Sequence, residues 1–247
     1  MATSATGFVD LHAHYLPAVD DGAADLRTTV EMVNGVAKLG FDRLYATPHQ
    51  RQGLYLPSRG AIESAFREME TAVGGDGASP ALGLGAENFW DETFLGRVRT
   101  GEVPSYDGGP AFLFEVPPPL MPVGIENTLF ELRMNGKLPV MAHPERYHAI
   151  QIHIDRARTL GQTAALLVDL AALVGAHGRA EMKTARQLLT AGLAHAVATD
   201  IHSVDDLEGI AAGIAWIRKH LGPAALQTLL ADNPRRILGG ELPDRGA

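Results

Sequence analysis

The stretch GFVDLHAHYLPAVDDG, residues 7–22, carries an apolar run into Asp10, His12 and His14, with Asp20 and Asp21 close behind. In an extended strand, residues i and i+2 project to the same face, so His12 and His14 can grip one ion together. The same residue types recur along the chain as His49, Glu87, Glu115, His143, Asp200 and His202. Imidazoles mixed with carboxylates suit a divalent Mn, Fe or Zn ion. Taken singly, each has a structural reading: Asp10 caps a turn, Glu115 pairs with an arginine, and Asp20-Asp21-Gly22 is a turn. A charge at an apolar strand end is expensive unless something pairs with it. Recurrence at successive strand ends therefore argues for one shared partner.

The elements that must position these residues alternate. Strands are predicted at 7–12, 42–49, 81–87, 111–116, 138–143, 164–170 and 194–200. Helices are predicted at 25–39, 58–73, 123–135, 179–191 and 204–220, with a last short one ending before Asn233-Pro234. Ser58 is the expected N-cap of the second helix, and GGDGASP the loop after it. Six of the seven strands end in a ligand-type residue; the sixth, ending in Asp169-Leu170, lacks an obvious one. Strands alternating with helices imply a parallel sheet, and seven such units favour a barrel, whose strand ends converge on one rim. His148, His153, His177, His195 and His220 fall elsewhere and read as structural or surface residues.

Composition narrows the function. The 247 residues contain no cysteine, which excludes disulfides, thiolate zinc sites and a cysteine nucleophile. The formal net charge of −8 argues against a nucleic-acid-binding face. No apolar run approaches a membrane span, and MATSATG lacks the basic and apolar regions of a secretory signal. A cytoplasmic chain with a single domain over 1–247 is expected.

The motifs DLHAHYLPAVDDGA, ATPHQRQGLY, GAENFW, FLFEVP, MAHPERY and ATDIHS stand in an order and spacing that resembles the PHP superfamily. Within it, the chain is similar to the CpsB/CapC-type manganese-dependent protein-tyrosine phosphatases of bacterial polysaccharide export. The resemblance spans about residues 8–205. It implies an α/β fold, a distorted seven-stranded (β/α)7, TIM-barrel-like structure holding three divalent metal ions, Mn first, with Fe or Zn as alternatives. It implies His12, His14, Asp21, His49, Glu87, Glu115, His143, Asp200 and His202 as ligands, Glu115 as a bridge between ions, and Asp21 ahead of Asp20. It places Arg146 of HPER on the substrate phosphate. The family's arginine after the last histidine is missing, since ATDIHSVDDLEG carries acids there; Arg51 is the candidate replacement. LAALVGAHG matches the family's SSLLG stretch only loosely, with alanines for serines.

The reaction so implied is hydrolysis of a phosphate monoester by a metal-bridging hydroxide. The substrate would be phosphotyrosine in a protein, such as the tyrosine-rich tail of a bacterial kinase, and a homo-oligomer is compatible with the chain. Rival readings are a histidinol-phosphate, sugar or nucleotide phosphatase, a phosphodiesterase or amidohydrolase-like enzyme, and a non-catalytic metal-binding domain. The amidohydrolase reading calls for a carbamylated lysine at a strand end, and no lysine stands there.

Overall fold

The computed structural model describes residues 7–74 and 79–244. The predicted loop at 74–80 and both termini lie partly outside them. Pairing resolves nine short strands rather than seven. One sheet has the order β1 (Phe8–Asp10), β2 (Phe41–Ala46), β4 (Ala81–Leu84). The other runs β3 (His49–Gln50), β5 (Glu87–Phe89), β6 (Ala111–Glu115), β7 (Leu138–Ala142), β8 (Ala165–Asp169), β9 (Ala196–Ala198). Every pairing is parallel.

The extra two strands come from breaks in the predicted second and third. Thr47-Pro48 separates β2 from β3, because proline brings no N–H to a ladder. Gly85-Ala86 separates β4 from β5. Hydrogen bonds carry across both breaks: Gly85 N donates to Ala46 O at 2.8 Å and Glu87 N to Pro48 O at 3.0 Å. An isolated parallel bridge joins Ala13 to Ile201, beyond the ends of β1 and β9.

The helices are α1 (Leu26–Lys38), α2 (Arg59–Val73), α3 (Glu92–Thr100), α4 (Ile125–Met134), α5 (His148–Ile152), α6 (Asp155–Leu160), α7 (Arg179–Thr190), α8 (Asp206–His220), α9 (Gly222–Gln227) and α10 (Asn233–Leu238). Ser58 caps α2 as expected, its Oγ accepting from Ala61 N at 3.2 Å. Two expectations are corrected. The chain remains helical through Asn233-Pro234, since proline in a first helical turn sacrifices no hydrogen bond. The helices α3, α5 and α6 were not predicted; Asp91 caps α3, accepting from Phe94 N at 2.9 Å.

The strands are apolar on both faces, as parallel strands covered by helices should be. Phe112, Phe114, Met141, Leu166, Val168 and Val197 face the helices. Their alternates Leu113, Val140, Ala142, Ala165, Leu167, Ala196 and Ala198 form a second cluster with Val9, Leu11, Tyr45 and Ile237, drawn from both sheets. This leaves the polar strand ends as the places where the core meets solvent.

Candidate metal centre

All nine residues predicted as ligands come together. Their donor atoms form four overlapping groups, each with its atoms within 4.8 Å of one another: His14, Asp21, His49 and His202; His12, His14 and Asp200; His12, Glu87 and His143; His49, Glu87 and Glu115. Register does part of this work. His49 pairs with Glu87 across β3 and β5, and Phe89 with Glu115 across β5 and β6. Beyond β1 the chain stays extended: Asp200 N donates to His12 O at 2.9 Å and His14 N to Ile201 O at 3.0 Å. His143 and Asp200 sit at φ 34° and 48°, a left-handed backbone rare for such residues and typical of functional sites.

Glu87 holds the central place. Its Oε1 lies 2.8 Å from His143 Nε2 and 3.3 Å from His12 Nε2, and its Oε2 lies 2.8 Å from His49 Nδ1. Glu115 is more peripheral, 3.6 Å from His49 and 3.9 Å from His143. Glu87 is thus shared by two of the groups, and Glu115 belongs to one.

A second set of residues aims the first. His12 Nδ1 is 2.7 Å from Thr47 Oγ1, His14 Nδ1 is 2.8 Å from Asp20 Oδ2, and His202 Nδ1 is 2.8 Å from Asp200 O. Fixing one ring nitrogen turns the other inward, the usual way a histidine is oriented toward a metal. Asp20 and Asp21 thus divide the work. Asp20 orients His14 and also accepts from His49 N at 3.0 Å, while Asp21 faces His49 Nε2 at 3.3 Å. Gly22 is needed at this turn, since a Cβ there would meet His14 O at 2.2 Å. Asp10 is a structural pin, buried and accepting from Thr199 N and Oγ1 and from Tyr15 OH.

The electrostatics ask for a cation. Burial opposes a proton on His12, yet Asp200 and Glu87 raise its pKa well above the ordinary imidazole value. Burial also opposes one on His14, but its hydrogen bond to Asp20 and the nearby Asp200 carboxylate push it up to about 10. Burial alone would raise Asp200 and Glu87; Arg146 and His12 hold the first, and chiefly His12 the second, well below the carboxylate range. Glu115 is pushed up to about 8 by burial and by Glu87, and His143 down to about 4 by burial and Arg146. His12 Nε2, His14 Nε2, His49 Nδ1 and Glu115 Oε1 are buried without a hydrogen-bond partner. Such orphaned donor atoms, with protons bridging the carboxylates, fit divalent ions that would displace those protons.

The predicted arginines occupy different surroundings. Arg146 NH2 binds Asp169 Oδ2 at 2.8 Å and also Asp200 Oδ2, while its buried Nε has no partner. Arg51 lies with its guanidinium 4.1 Å from the centre of the Phe89 ring, close enough to Glu115 to favour the ionised carboxylate. Sequence reasoning passed over Asp169 and His177, which the fold sets beside Arg146 and 2.5 Å from each other. Asp169 carried the same signal as its neighbours, a carboxylate ending a strand. His177 carried none.

Beside Asp200 and His202 opens a cavity of about 570 Å³, walled by His177, Ala171, Val174 and the first turns of α8. Among the described residues no helix is long and apolar enough to cross a membrane.

A family model described as capsular polysaccharide synthesis, CpsB/CapC, matches residues 8–239. The tyrosine-protein phosphatase YwqE of Bacillus subtilis is 28% identical over 198 residues, covering 79% of this chain and 78% of that protein. The tyrosine-protein phosphatase CpsB of Streptococcus pneumoniae is 27% identical, covering 95% of this chain and 99% of that protein. A crystal structure from work on those two proteins, described as unique metal-dependent tyrosine phosphatases, superposes with a TM-score of 0.86 at 25% identity, over 96% of this chain and 97% of that one. An organophosphorus hydrolase variant from Deinococcus radiodurans shares the fold, with a TM-score of 0.57 at 12% identity.

Proposed function

The chain belongs to the capsular polysaccharide synthesis CpsB/CapC family, and from that premise we propose that it is a metal-dependent phosphatase of phosphotyrosine in proteins. The observation that carries this is the convergence of nine ligand-type side chains into overlapping groups, with Arg146 beside them. The absence of cysteine from the sequence agrees with a non-thiol mechanism.

The nine strand segments are read as seven strands of a distorted barrel in one domain, two of them broken once. The Ala13–Ile201 bridge and the apolar cluster shared by both sheets support closure. His12, His14, Asp21, His49, Glu87, Glu115, His143, Asp200 and His202 would hold three divalent ions, Mn first. Ions bound there would supply a nucleophile at neutral pH and neutralise the phosphoryl charge.

The chain's own residues do the rest. Thr47 and Asp20 keep the His12 and His14 rings in the tautomer that points inward. Arg146, anchored by Asp169, would meet the non-bridging phosphate oxygens with its guanidinium, whose planar fork matches phosphate. Arg51, steadied on Phe89 and near Glu115, would offer the second positive charge. The natural substrate in this reading is the phosphotyrosyl tail of a cytoplasmic bacterial tyrosine kinase.

Phosphate release tests the reading, with Mn²⁺ or with chelator, from a phosphotyrosyl peptide, a phosphoseryl peptide and histidinol phosphate. Metal-dependent preference for the phosphotyrosyl peptide is expected. Preference for histidinol phosphate would move the enzyme to small-molecule substrates, and no release from a metal-loaded protein would overturn the phosphatase assignment.

A further inference from the structure

His177 lies in the loop after β8, in the sequence GAHG. Gly175 and Gly178, at φ 93° and 120°, take the backbone through left-handed conformations and return the imidazole over the strand end. There Nε2 sits 2.5 Å from Asp169 Oδ2. Asp169 is a rigid anchor: its side chain is 1% exposed, its Oδ1 accepts from Ala171 N at 2.7 Å, and its Oδ2 also accepts from Arg146. Nε2 also lies 3.2 Å from Arg146 NH2, a donor that cannot accept, so a proton on Nε2 goes to the shorter Asp169 contact; Nδ1 is the ring nitrogen without a partner among the described residues. The ring is 37% exposed and lines the same cavity as Asp200 and His202.

That cavity is lined by the candidate ligands Asp200 and His202, and Arg146 binds Asp200 at its edge, so it offers room for the alcohol part of a phosphate ester held there. A tyrosine leaving group has a pKa of about 10, and expelling it as a free phenolate at neutral pH is slow without a proton donor. Arg146 cannot give up a proton. His12, His14, His49, His143 and His202 belong to the ligand groups.

We propose that His177, held by Asp169, is the general acid that protonates the leaving oxygen; the proposal rests on the phosphatase reading above. As the ester P–O bond breaks, its electron pair goes to the leaving oxygen, and the Nδ1 proton is delivered to that atom. A water-derived oxygen forms the new bond to phosphorus, and its proton passes to solvent. The neutral imidazole regains its proton from solvent before the next turnover. Asp169 is a positioning residue, fixing the tautomer that leaves Nδ1 for the substrate.

The charges around His177 favour its protonated form. The Asp169 hydrogen bond is the largest influence and raises the imidazole pKa; partial burial and Arg146 oppose it, and Asp200 assists. From α7, Glu181 lies against Gly178. From α8 and the turn before it, Asp205, Asp206 and Glu208 share the cavity wall with His202.

The test is the dependence on leaving group in the Mn²⁺-loaded full-length protein. His177→Gln should lower kcat about 100-fold on phosphotyrosine and phenyl phosphate, within the range for general acids. It should lower kcat only a few-fold on 2,4-dinitrophenyl phosphate, whose leaving group needs no proton. Metal content should equal that of the parent, and the alkaline limb of the kcat–pH profile should vanish. Asp169→Asn should keep that limb but move it to lower pH. The His177 imidazole resonance, followed in the metal-free protein, should titrate lower by the same direction of shift. Equal losses on all three esters, or an alkaline limb that survives in His177→Gln, would refute the proposal. If the parent itself hydrolyses none of the esters, the phosphatase reading fails first and takes this inference with it.

Discussion

On one side of the cleft His12, His14 and Glu87 are at most 2% exposed, and each imidazole is tied by a second residue, Thr47 or Asp20, that is itself bonded to backbone. On the other side Arg146 and His177 are 25% and 37% exposed, and both lean on the one carboxylate of Asp169. The buried side is over-determined: Thr47, Asp20 and strand register would each resist a shift of any single ligand. The open side is a short relay, in which one change is felt by every member. Burial strengthens charge interactions and makes an unpaired charge costly. In the proposed reading most of the residues that would hold divalent cations are therefore inside, and those that would meet a substrate sit at the mouth.

The comparison can be broken most forcibly from the buried side. His12→Ala or Asp200→Ala should reduce turnover to that of the chelator-treated parent and lower metal content with it, both read on the same preparation. Turnover at the parent level in either variant would remove the ligand assignment.

A change at the mouth should separate the two regions. Arg146→Lys keeps a charge for Asp169 and Asp200 but loses the fork, and kcat/KM should fall about 100-fold with metal content retained. Metal loss in this variant would mean that the two sides are not independent.

Asp20 gives a smaller effect with a definite pH signature. Burial works against its charge, but His14 and the His49 and Gly22 amides hold its pKa down to about 2, below its ordinary 3.8. The unfolded chain takes up this proton first, so the stabilisation is present above pH 3.8 and is lost as pH falls toward 2. The same ion pair, seen from His14, is complete below pH 6.5 and fades as pH rises through about 10. Asp20→Asn should weaken metal binding 10- to 100-fold, as lost orienting partners do, with roughly that range set by comparable sites. In metal-free protein it should cost up to about 2 kcal/mol at neutral pH. Denaturant melts of parent and variant between pH 2 and 7 should converge at the acid end. Parallel curves would place the stabilising pair elsewhere.

The smallest effect belongs far from the cleft. Ser58→Ala removes the α2 cap and should lower stability by about 1 kcal/mol, with kcat and metal content unmoved.

How much of this was legible in the sequence differs between the two sides as well. Strand ends advertise their ligands, because a charge after an apolar run has few structural excuses. His12, His14, His49, Glu87, Glu115, His143 and Asp200 were all readable that way. Helix α1 and the cap of α2 followed from periodicity and capping residues. Helix α3 was missed because ETFLGRVRT has a glycine in its middle and a weak apolar stripe; packing of Phe94 among Trp90, Phe112 and Phe114 holds it instead. Asp169 was passed over despite standing at a strand end. His177 offered no local signal at all, since its partner is eight residues away and across a turn.

By itself the sequence determined the alternation of strand and helix, the polar residue closing each strand and the absence of thiol chemistry, because these depend on residue type and local spacing. Only the tertiary structure decided that Glu87 is shared by two of the candidate groups, that Asp20 orients His14 while Asp21 faces His49, and that Asp169 binds both Arg146 and His177. Those choices turn on distances of a few ångströms between segments far apart in the chain, set by register and by the turns at the strand ends, and no local preference encodes them.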